Sequence, residues 1–254
     1  MSTVALFALV VIVFVAFFTE AVVGFGSTVI TLSLAANFLE LNTILPAFVP
    51  LGVLLSLSIV SRNWVHIARG FLWSRLMPAM AVGMGIGMFL FRTIDSKNLL
   101  TAFGIFVCAV SVRELIQMFT AYYKPVRLLP VRALSPVVAF VLLTLGGVIH
   151  GIFGSGGPLV VYVAGRELPS KTTFRATLSA LWLASNLVLV FGYVQSGLFT
   201  ADTVRLSAWM LPALILGLWL GEKAHAAVDE KTFKIATWGI LLLASLSLLG
   251  RSLL

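Results

Sequence analysis

The chain has 254 residues, of which 60% are hydrophobic and only 10% are charged, and its mean hydropathy is +1.10. Because soluble domains carry about 25% charged residues, this composition excludes a soluble protein and indicates an integral membrane protein. The apolar runs have the length of membrane helices and lack the alternation of a β-barrel. The net charge of +8 therefore marks cytoplasmic loops and does not indicate a nucleic-acid partner.

Five apolar segments are predicted before a polar, proline-bearing connector at residues 122–132. They are residues 4–18 (a), 27–39 (b), 43–60 (c), 71–91 (d) and 98–120 (e). Five more follow in the same order: 133–149 (a′), 156–165 (b′), 172–193 (c′), 203–221 (d′) and 232–249 (e′). Segment a lacks a basic start and a cleavage pattern, so we expect it to stay in the mature protein rather than act as a signal peptide.

The two halves also resemble each other in sequence. The run MPAMAVG at 77–83 with Gly87 matches LPALILG at 211–217 with Gly221, at an offset of 134 residues. The triplet Phe-Gly-Ser at 25–27 matches 153–155 at an offset of 128. We therefore predict two related repeats, 1–121 and 133–254, joined by the connector.

The basic residues predict the orientation of the chain. Thirteen of the 17 lysines and arginines fall on one side: Arg62, Arg69, Arg75, Arg113, Lys124, Arg127, Arg132, Arg166, Lys171, Arg175, Lys223, Lys231 and Lys234. The positive-inside rule makes this side cytoplasmic and places both termini outside. Each repeat then crosses the membrane an odd net number of times, so the two repeats are expected to have inverted topology.

Segments b and b′ are short for a membrane crossing, at about 20 Å and about 15 Å against a hydrocarbon core of about 30 Å. We therefore predict an all-α polytopic membrane protein with two inverted repeats of five helical segments each. Each repeat would contain three full spans and a broken or re-entrant helix pair, giving 8–10 membrane segments. Whether b and b′ cross fully stays open at this point.

Glycine-rich corners precede both short segments and are expected to meet near the middle of the membrane. Backbone groups that a corner exposes at this depth must face protein or a polar cavity. The free N–H groups of a following helix and its dipole favour an anion there. The predicted substrate-binding residues at the corners are Gly26, Ser27, Thr28, Gly154, Ser155, Gly156 and Gly157. The alternative is that these glycines only serve close helix packing.

Segment c′ carries polar residues on one face of an otherwise apolar helix. Arg175, Ser179, Trp182 and Asn186 stand at i, i+4, i+7 and i+11 and are predicted to contact substrate. Two alternatives remain at this stage. Arg175 could extend to the cytoplasmic interface, and Asn186 could form a helix-to-helix hydrogen bond.

Glu20 and His150 each come just before a glycine corner, one in each half. An intramembrane carboxylate is a candidate for proton handling, and histidine titrates nearest to physiological pH. Both are therefore candidates for coupling to a proton or another cation. In the alternative interpretations, Glu20 lies at a water-exposed helix end and His150 has a structural role.

Several of these motifs resemble those of the sulfite exporter TauE/SafE family of membrane transporters. The similarity rests on the doubled glycine corner, on Arg175-Ala176-Thr177 at the start of segment c′, and on the short two-half architecture. It spans essentially the whole chain. The first corner departs from the family pattern, with Ser27 and Thr28 where glycines are common. The resemblance implies a multi-pass protein of the prokaryotic inner membrane that moves sulfite, sulfonates or sulfoacetate-like anions.

The combined expectation is a secondary transporter of small sulfur-containing anions, exporting them by alternating access around a midplane site. No nucleotide-binding motif is present, and no catalytic residue, metal site or cofactor is predicted. The expected partners are the anion, the lipid bilayer and a coupled proton or sodium ion. The alternatives are an intramembrane serine hydrolase using Ser155 and His150, and an anion channel without a transport cycle. The substrate, direction, coupling ion and oligomeric state stay open.

Overall fold

The computed structural model describes residues 3–123, 134–168 and 170–227, together with most of 238–250. Within these residues the regular structure is helical, without β-strands. Seven of the described helices are long and apolar enough to cross a membrane: Thr3–Val22, Leu41–His66, Arg69–Thr93, Lys97–Thr120, Pro136–Phe153, Lys171–Gln195 and Ala201–His225. The prediction of an all-α polytopic membrane protein is confirmed.

The helices follow the predicted order of segments. They are α1 (Thr3–Val23), α2 (Ser27–Ala35), α3 (Leu41–Asn63), α4 (Arg69–Phe71), α5 (Met77–Thr93), α6 (Ser96–Tyr123), α7 (Pro136–Phe153), α8 (Gly157–Glu167), α9 (Lys171–Gln195) and α10 (Ala201–Ala227). A π-helical turn, Leu72–Leu76, joins α4 to α5. Residues 124–133 and much of segment e′ lie outside the described residues, so the repeat boundaries stay predictions.

Both predicted corners are breaks between a long helix and a short one. Gly24 (φ 94°) directly follows α1, and Gly154 (φ 65°) directly follows α7. Glycine adopts a positive φ without strain because it has no side chain. Each corner glycine donates its N–H to the carbonyl four residues earlier, Glu20 O or His150 O, at 2.7 Å. The two breaks are therefore 130 residues apart, whereas the Phe-Gly-Ser triplet recurs at 128, and the alignment of the two repeats stays a prediction.

The short helices α2 and α8 have 9 and 11 residues. At 1.5 Å per residue they reach about 13 Å and about 16 Å, so neither crosses a hydrocarbon core of about 30 Å. Helix α1 has 21 residues and is long enough to span, at about 31 Å. Each pair thus consists of one long and one short helix. Helix α1 continues beyond residue 18, where segment a was predicted to end, because the first helix-breaking residue is Gly24.

The two halves pack against each other reciprocally. Helix α5 of the first half lies against α7 of the second, and α10 of the second half lies against α1 of the first. Glycines allow both contacts. A Cβ built on Gly83 would lie 2.0 Å from Thr144 O, and one on Gly217 would lie 2.9 Å from Phe18 N. These helices therefore touch through their backbones, as is common between membrane helices.

The ends of the long helices lie at different ends of the bundle. Thr3, at the start of α1, lines a surface cavity together with Leu39 and Asp202. Leu134, just before α7, packs in an apolar cluster with Ile67 and Ala68, which lie beside the basic loop after α3. Helix α1 therefore starts at the end of the bundle where α2 finishes, and α7 starts at the other end.

A glycine-to-alanine pair on α5 tests the backbone contact. Gly83→Ala places a Cβ against the α7 backbone, whereas Gly85 has nothing within 4 Å of the same atom. We expect Gly83→Ala to destabilise the protein by about 1–3 kcal/mol relative to Gly85→Ala, as overpacking does. Thermal unfolding in detergent would measure this difference, and equal melting temperatures of the two variants would contradict it.

Candidate functional site

The two corners enclose a cavity in the middle of the bundle. Its volume is about 20 Å³, room for about one water molecule. It is lined by Glu20, Phe25, Gly26, Ser27, Thr28, Phe48, Val49, Gly52, His150, Gly154, Ser155, Gly156, Gly157, Trp182 and Asn186. The structure thus brings together eleven of the thirteen residues that the sequence predicts for substrate binding or coupling. The other two, Arg175 and Ser179, are buried but do not line the cavity.

Glu20 occupies the amino end of α2. Its Oε2 accepts a hydrogen bond from Ser27 N–H at 3.3 Å and a short one from the Ser27 hydroxyl. The carboxylate thereby takes up the first free N–H of the helix and faces its dipole favourably. Glu20 is only 7% exposed, so the alternative of a water-exposed helix end is wrong.

His150 has the same relation to the second corner. Its Nδ1 accepts a hydrogen bond from Gly156 N–H at 3.2 Å, and its ring stacks on Trp182 with the ring centroids 5.3 Å apart. An Nδ1 that accepts carries no proton, so the neutral ring carries its proton on Nε2. This Nε2 is buried and has no hydrogen-bond partner among the described residues. A donor is therefore held, unused, at the cavity wall.

Asn186 faces the same space from α9. It lies near enough to His150 for a side-chain hydrogen-bond interaction, although neither His150 Nε2 nor Asn186 Oδ1 makes a hydrogen bond of normal distance and angle among the described residues. Gly52 of α3 gives the amide room, since a Cβ there would lie 3.0 Å from Asn186 Nδ2. A helix-to-helix hydrogen bond through Oδ1, the alternative role of Asn186, is thus not formed within the described residues.

Trp182 connects α9 to the first corner. Its Nε1–H donates to Gly24 O at 3.1 Å, which satisfies a carbonyl that the break leaves free. The same side chain stacks on His150 at the second corner. One tryptophan therefore contacts both corners.

Arg175 lies outside the lining of the cavity. Its guanidinium forms an ion pair with Glu222 of α10. Its side chain is 6% exposed, so the guanidinium is paired with Glu222 rather than open to solvent. Gly24 packs against it, since a Cβ on Gly24 would lie 3.4 Å from Arg175 Cα. Sequence reasoning missed Glu222 because segment d′ was predicted to stop at residue 221, whereas α10 continues through Ala227.

The apolar part of the lining also went unpredicted. Phe48, Val49 and Gly52 come from the apolar middle of α3, residues 44–55, where no polar residue marks the facing side. Phe25 covers Gly157, where a Cβ would lie 3.2 Å from the phenyl ring. The serine hydrolase alternative gains no support, because no hydrogen bond joins Ser155 to His150 among the described contacts.

Comparison with known proteins identifies the family. A sequence profile described as sulfite exporter TauE/SafE matches residues 9–248. The chain belongs to the TauE/SafE family. It is accordingly a membrane transporter and not an enzyme. It is also 25% identical over 174 residues to the probable inner membrane transporter protein TsaS of Comamonas testosteroni, covering 68% of this chain and 69% of that protein. No solved structure matches the chain.

Removing the carboxylate of Glu222 tests the buried ion pair. Breaking a fully buried pair costs about 3–5 kcal/mol, and because Glu222 is partly exposed we expect Glu222→Gln to cost about 2 kcal/mol. The control is Glu167→Gln, which breaks the surface pair with Arg75 at 2.9 Å and should cost about 0–1 kcal/mol. Thermal unfolding measures the loss of stability in each variant. Equal losses would contradict the prediction and show that Arg175 needs no counter-charge.

Proposed function

We propose that this TauE/SafE transporter carries small sulfur-containing anions, such as sulfite, sulfonates or sulfoacetate, through the central cavity by alternating access. The observation that carries the proposal is a pair of polar atoms without a partner on residues that line the cavity, the donor His150 Nε2 and the acceptor Asn186 Oδ1. Buried polar groups are normally hydrogen-bonded, so groups left unpartnered on a cavity are suited to a ligand. Export of an anion is favoured by a membrane potential that is negative inside.

The donors around the cavity suit an oxyanion. His150 Nε2–H, the Asn186 amide and the Ser155 hydroxyl surround the amino end of α8, where the helix dipole places about half a positive charge. No lysine or arginine lines the cavity. An anion would therefore be held by neutral donors and a helix end, as in transporters with broken helices. Such a site can also release its ligand.

The volume of the cavity bears on the transport cycle. At about 20 Å³ it has space for about one water and is too small for a sulfonate. The size of the cavity therefore fits a state without bound substrate. Substrate binding would require the corners to move apart, and Gly24 and Gly154 are the natural pivots because glycine tolerates the backbone change.

The proposed inverted repeats fit this cycle. The reciprocal packing of α5 on α7 and of α10 on α1 supports a two-fold relation between the halves. The opposite starting ends of α1 and α7 support inversion. Together with the basic side of the bundle, they favour both termini outside. The name of the relative from Comamonas testosteroni supports an inner-membrane location.

Glu20 is the candidate for cation coupling in this scheme, while His150 is better placed as a donor to the anion. Glu20→Gln keeps an oxygen for the Ser27 hydrogen bonds but removes the titrating group. In proteoliposomes, we expect it to abolish accumulation driven by a proton or sodium gradient while downhill anion exchange continues. Accumulation equal to wild type would exclude Glu20 as the coupling group.

Flux measurements with wild type and an asparagine variant test the site itself. Wild-type protein in proteoliposomes should transport at least one of sulfite, sulfoacetate and taurine with saturable, competable kinetics. Asn186→Leu should raise the apparent substrate constant by about tenfold, because an anion loses a hydrogen bond. The control Asn63→Leu changes an amide at the end of α3, whose Nδ2 bonds Ile59 O, and should behave as wild type.

Two outcomes would contradict the proposal. Absence of flux of all three anions from correctly folded protein would exclude the substrate class. Flux that never saturates would favour the channel alternative.

A further inference from the structure

The polar face of α9 continues beyond Asn186. Leu189 and Tyr193 follow at the same helical spacing, so Tyr193 lies on the face that carries Trp182 and Asn186. Tyr193 is 4% exposed, and its hydroxyl has no hydrogen-bond partner among the described residues. A buried phenol normally finds a partner. This hydroxyl is therefore a second unused polar group, about 10 Å along the helix from Asn186.

Tyr193 lines a second cavity, which we call the vestibule. Its volume is about 240 Å³, and it is lined by Asn42, Met88, Phe91, Arg92, Gly151, Gly192, Tyr193, Ser196 and Leu198. The vestibule lies where α5 and α9 end and α3 begins, away from the basic end of the bundle. Gly151 in its wall directly follows His150 of the central cavity. The two cavities are thus separated by little more than one turn of α7.

An apolar contact closes the path between them. Leu189 lies between Asn186 and Tyr193 on the face of α9. At the second corner, a Cβ on Gly154 would lie 3.1 Å from the Val49 side chain and 3.7 Å from that of Leu189. These side chains separate the polar groups of the vestibule from those of the central cavity.

The vestibule is lined by a positively charged side chain, Arg92, whereas no lysine or arginine lines the central cavity. Arg92 is exposed, its guanidinium donates to Ser196 Oγ at 2.9 Å, and it forms no ion pair with a carboxylate among the described residues. A guanidinium has five donors and matches the geometry of an oxyanion. Tyr193 also lines the vestibule; its hydroxyl is buried in the wall and becomes a further donor when the ring turns towards a bound anion.

We propose that the vestibule is a second binding station for the transported oxyanion, on the far side of Leu189 from the central cavity. This inference rests on the proposed function. Arg92 attracts and holds the anion, and the Tyr193 hydroxyl donates to it at the floor of the vestibule. An anion crossing the protein is therefore bound in sequence by charged groups here and by neutral donors at the corners. With 240 Å³, the vestibule has room for a small sulfonate.

Two conservative variants and two matched controls test the vestibule in vesicles of neutral phosphatidylcholine, with sulfoacetate, sulfite and taurine as probes added on the vestibule side. Arg92→Gln should raise the apparent constant by about tenfold, because a charge-assisted hydrogen bond is lost, and Tyr193→Phe by about threefold. Maximal rates should stay near wild type. The controls are Arg205→Gln, outside the vestibule, and Tyr162→Phe on α8, which contacts Arg166. Both should match wild type.

Calorimetric titration of sulfoacetate into protein in detergent gives a second readout. Wild type should show two sites, Arg92→Gln should lose one, and Asn186→Leu should lose the other. Melting temperatures should not fall in Tyr193→Phe, because removing an unpartnered buried hydroxyl leaves no partner unsatisfied. A purely structural tyrosine would give an unchanged apparent constant.

The outcomes separate this inference from the proposed function. Normal wild-type flux with Arg92→Gln and Tyr193→Phe equal to their controls would overturn the vestibule alone. Absence of both flux and binding in wild type would overturn the proposed function and with it the ligand of the vestibule. If Arg92→Gln differs from wild type only when phosphatidylglycerol is added to the vesicles, the site binds lipid headgroups, and the inference is wrong.

Discussion

The fold depends on satisfying the backbone of two helices that break in the buried middle of a membrane-protein bundle. At this depth an unpaired N–H or C=O costs several kcal/mol, because no water is available to replace the lost partner. Each break is closed in the same way: a glycine with positive φ bonds back to the carbonyl of Glu20 or His150. The side chain of that same residue then accepts an N–H at the start of the next short helix. One residue in each half thus satisfies both sides of its break.

This arrangement explains why the site belongs to the fold rather than being added to it. Trp182 closes the remaining carbonyl at Gly24 and stacks on His150, so α9 is fixed to both corners by a single side chain. Asn186, one turn further along α9, is thereby held at the cavity wall. The polar groups that stabilise the breaks are therefore the groups that surround the cavity. A substitution that alters the backbone breaks is therefore expected to disturb the cavity as well.

The corners and the polar face of α9 could be predicted from sequence because glycine and buried polar residues stand out against an apolar background. The Arg175–Glu222 pair could not, since it depends on the relative position of α9 and α10, which hydropathy does not encode. Tyr193 was missed because Leu189 interrupts the polar face and a tyrosine near a helix end resembles an interface residue. The Phe-Gly-Ser triplets recur at 128 residues and the corner glycines at 130, because a short sequence identity need not coincide with the end of a helix.

The chemical difference between the two equivalent residues makes the halves unequal. Glu20 brings an acidic group to the first corner, where it already occupies the amino end of α2. His150 brings a neutral ring to the second corner and leaves Nε2 unused. An anion entering the cavity would be repelled by an ionised Glu20 and attracted by the donors near α8, so the site is polarised towards the second corner. That corner lies on the side of Leu189, beyond which Tyr193 and Arg92 line the vestibule. Under the proposed function, the asymmetry between two residues at equivalent positions thus gives a pseudo-symmetric fold a preferred path for its substrate.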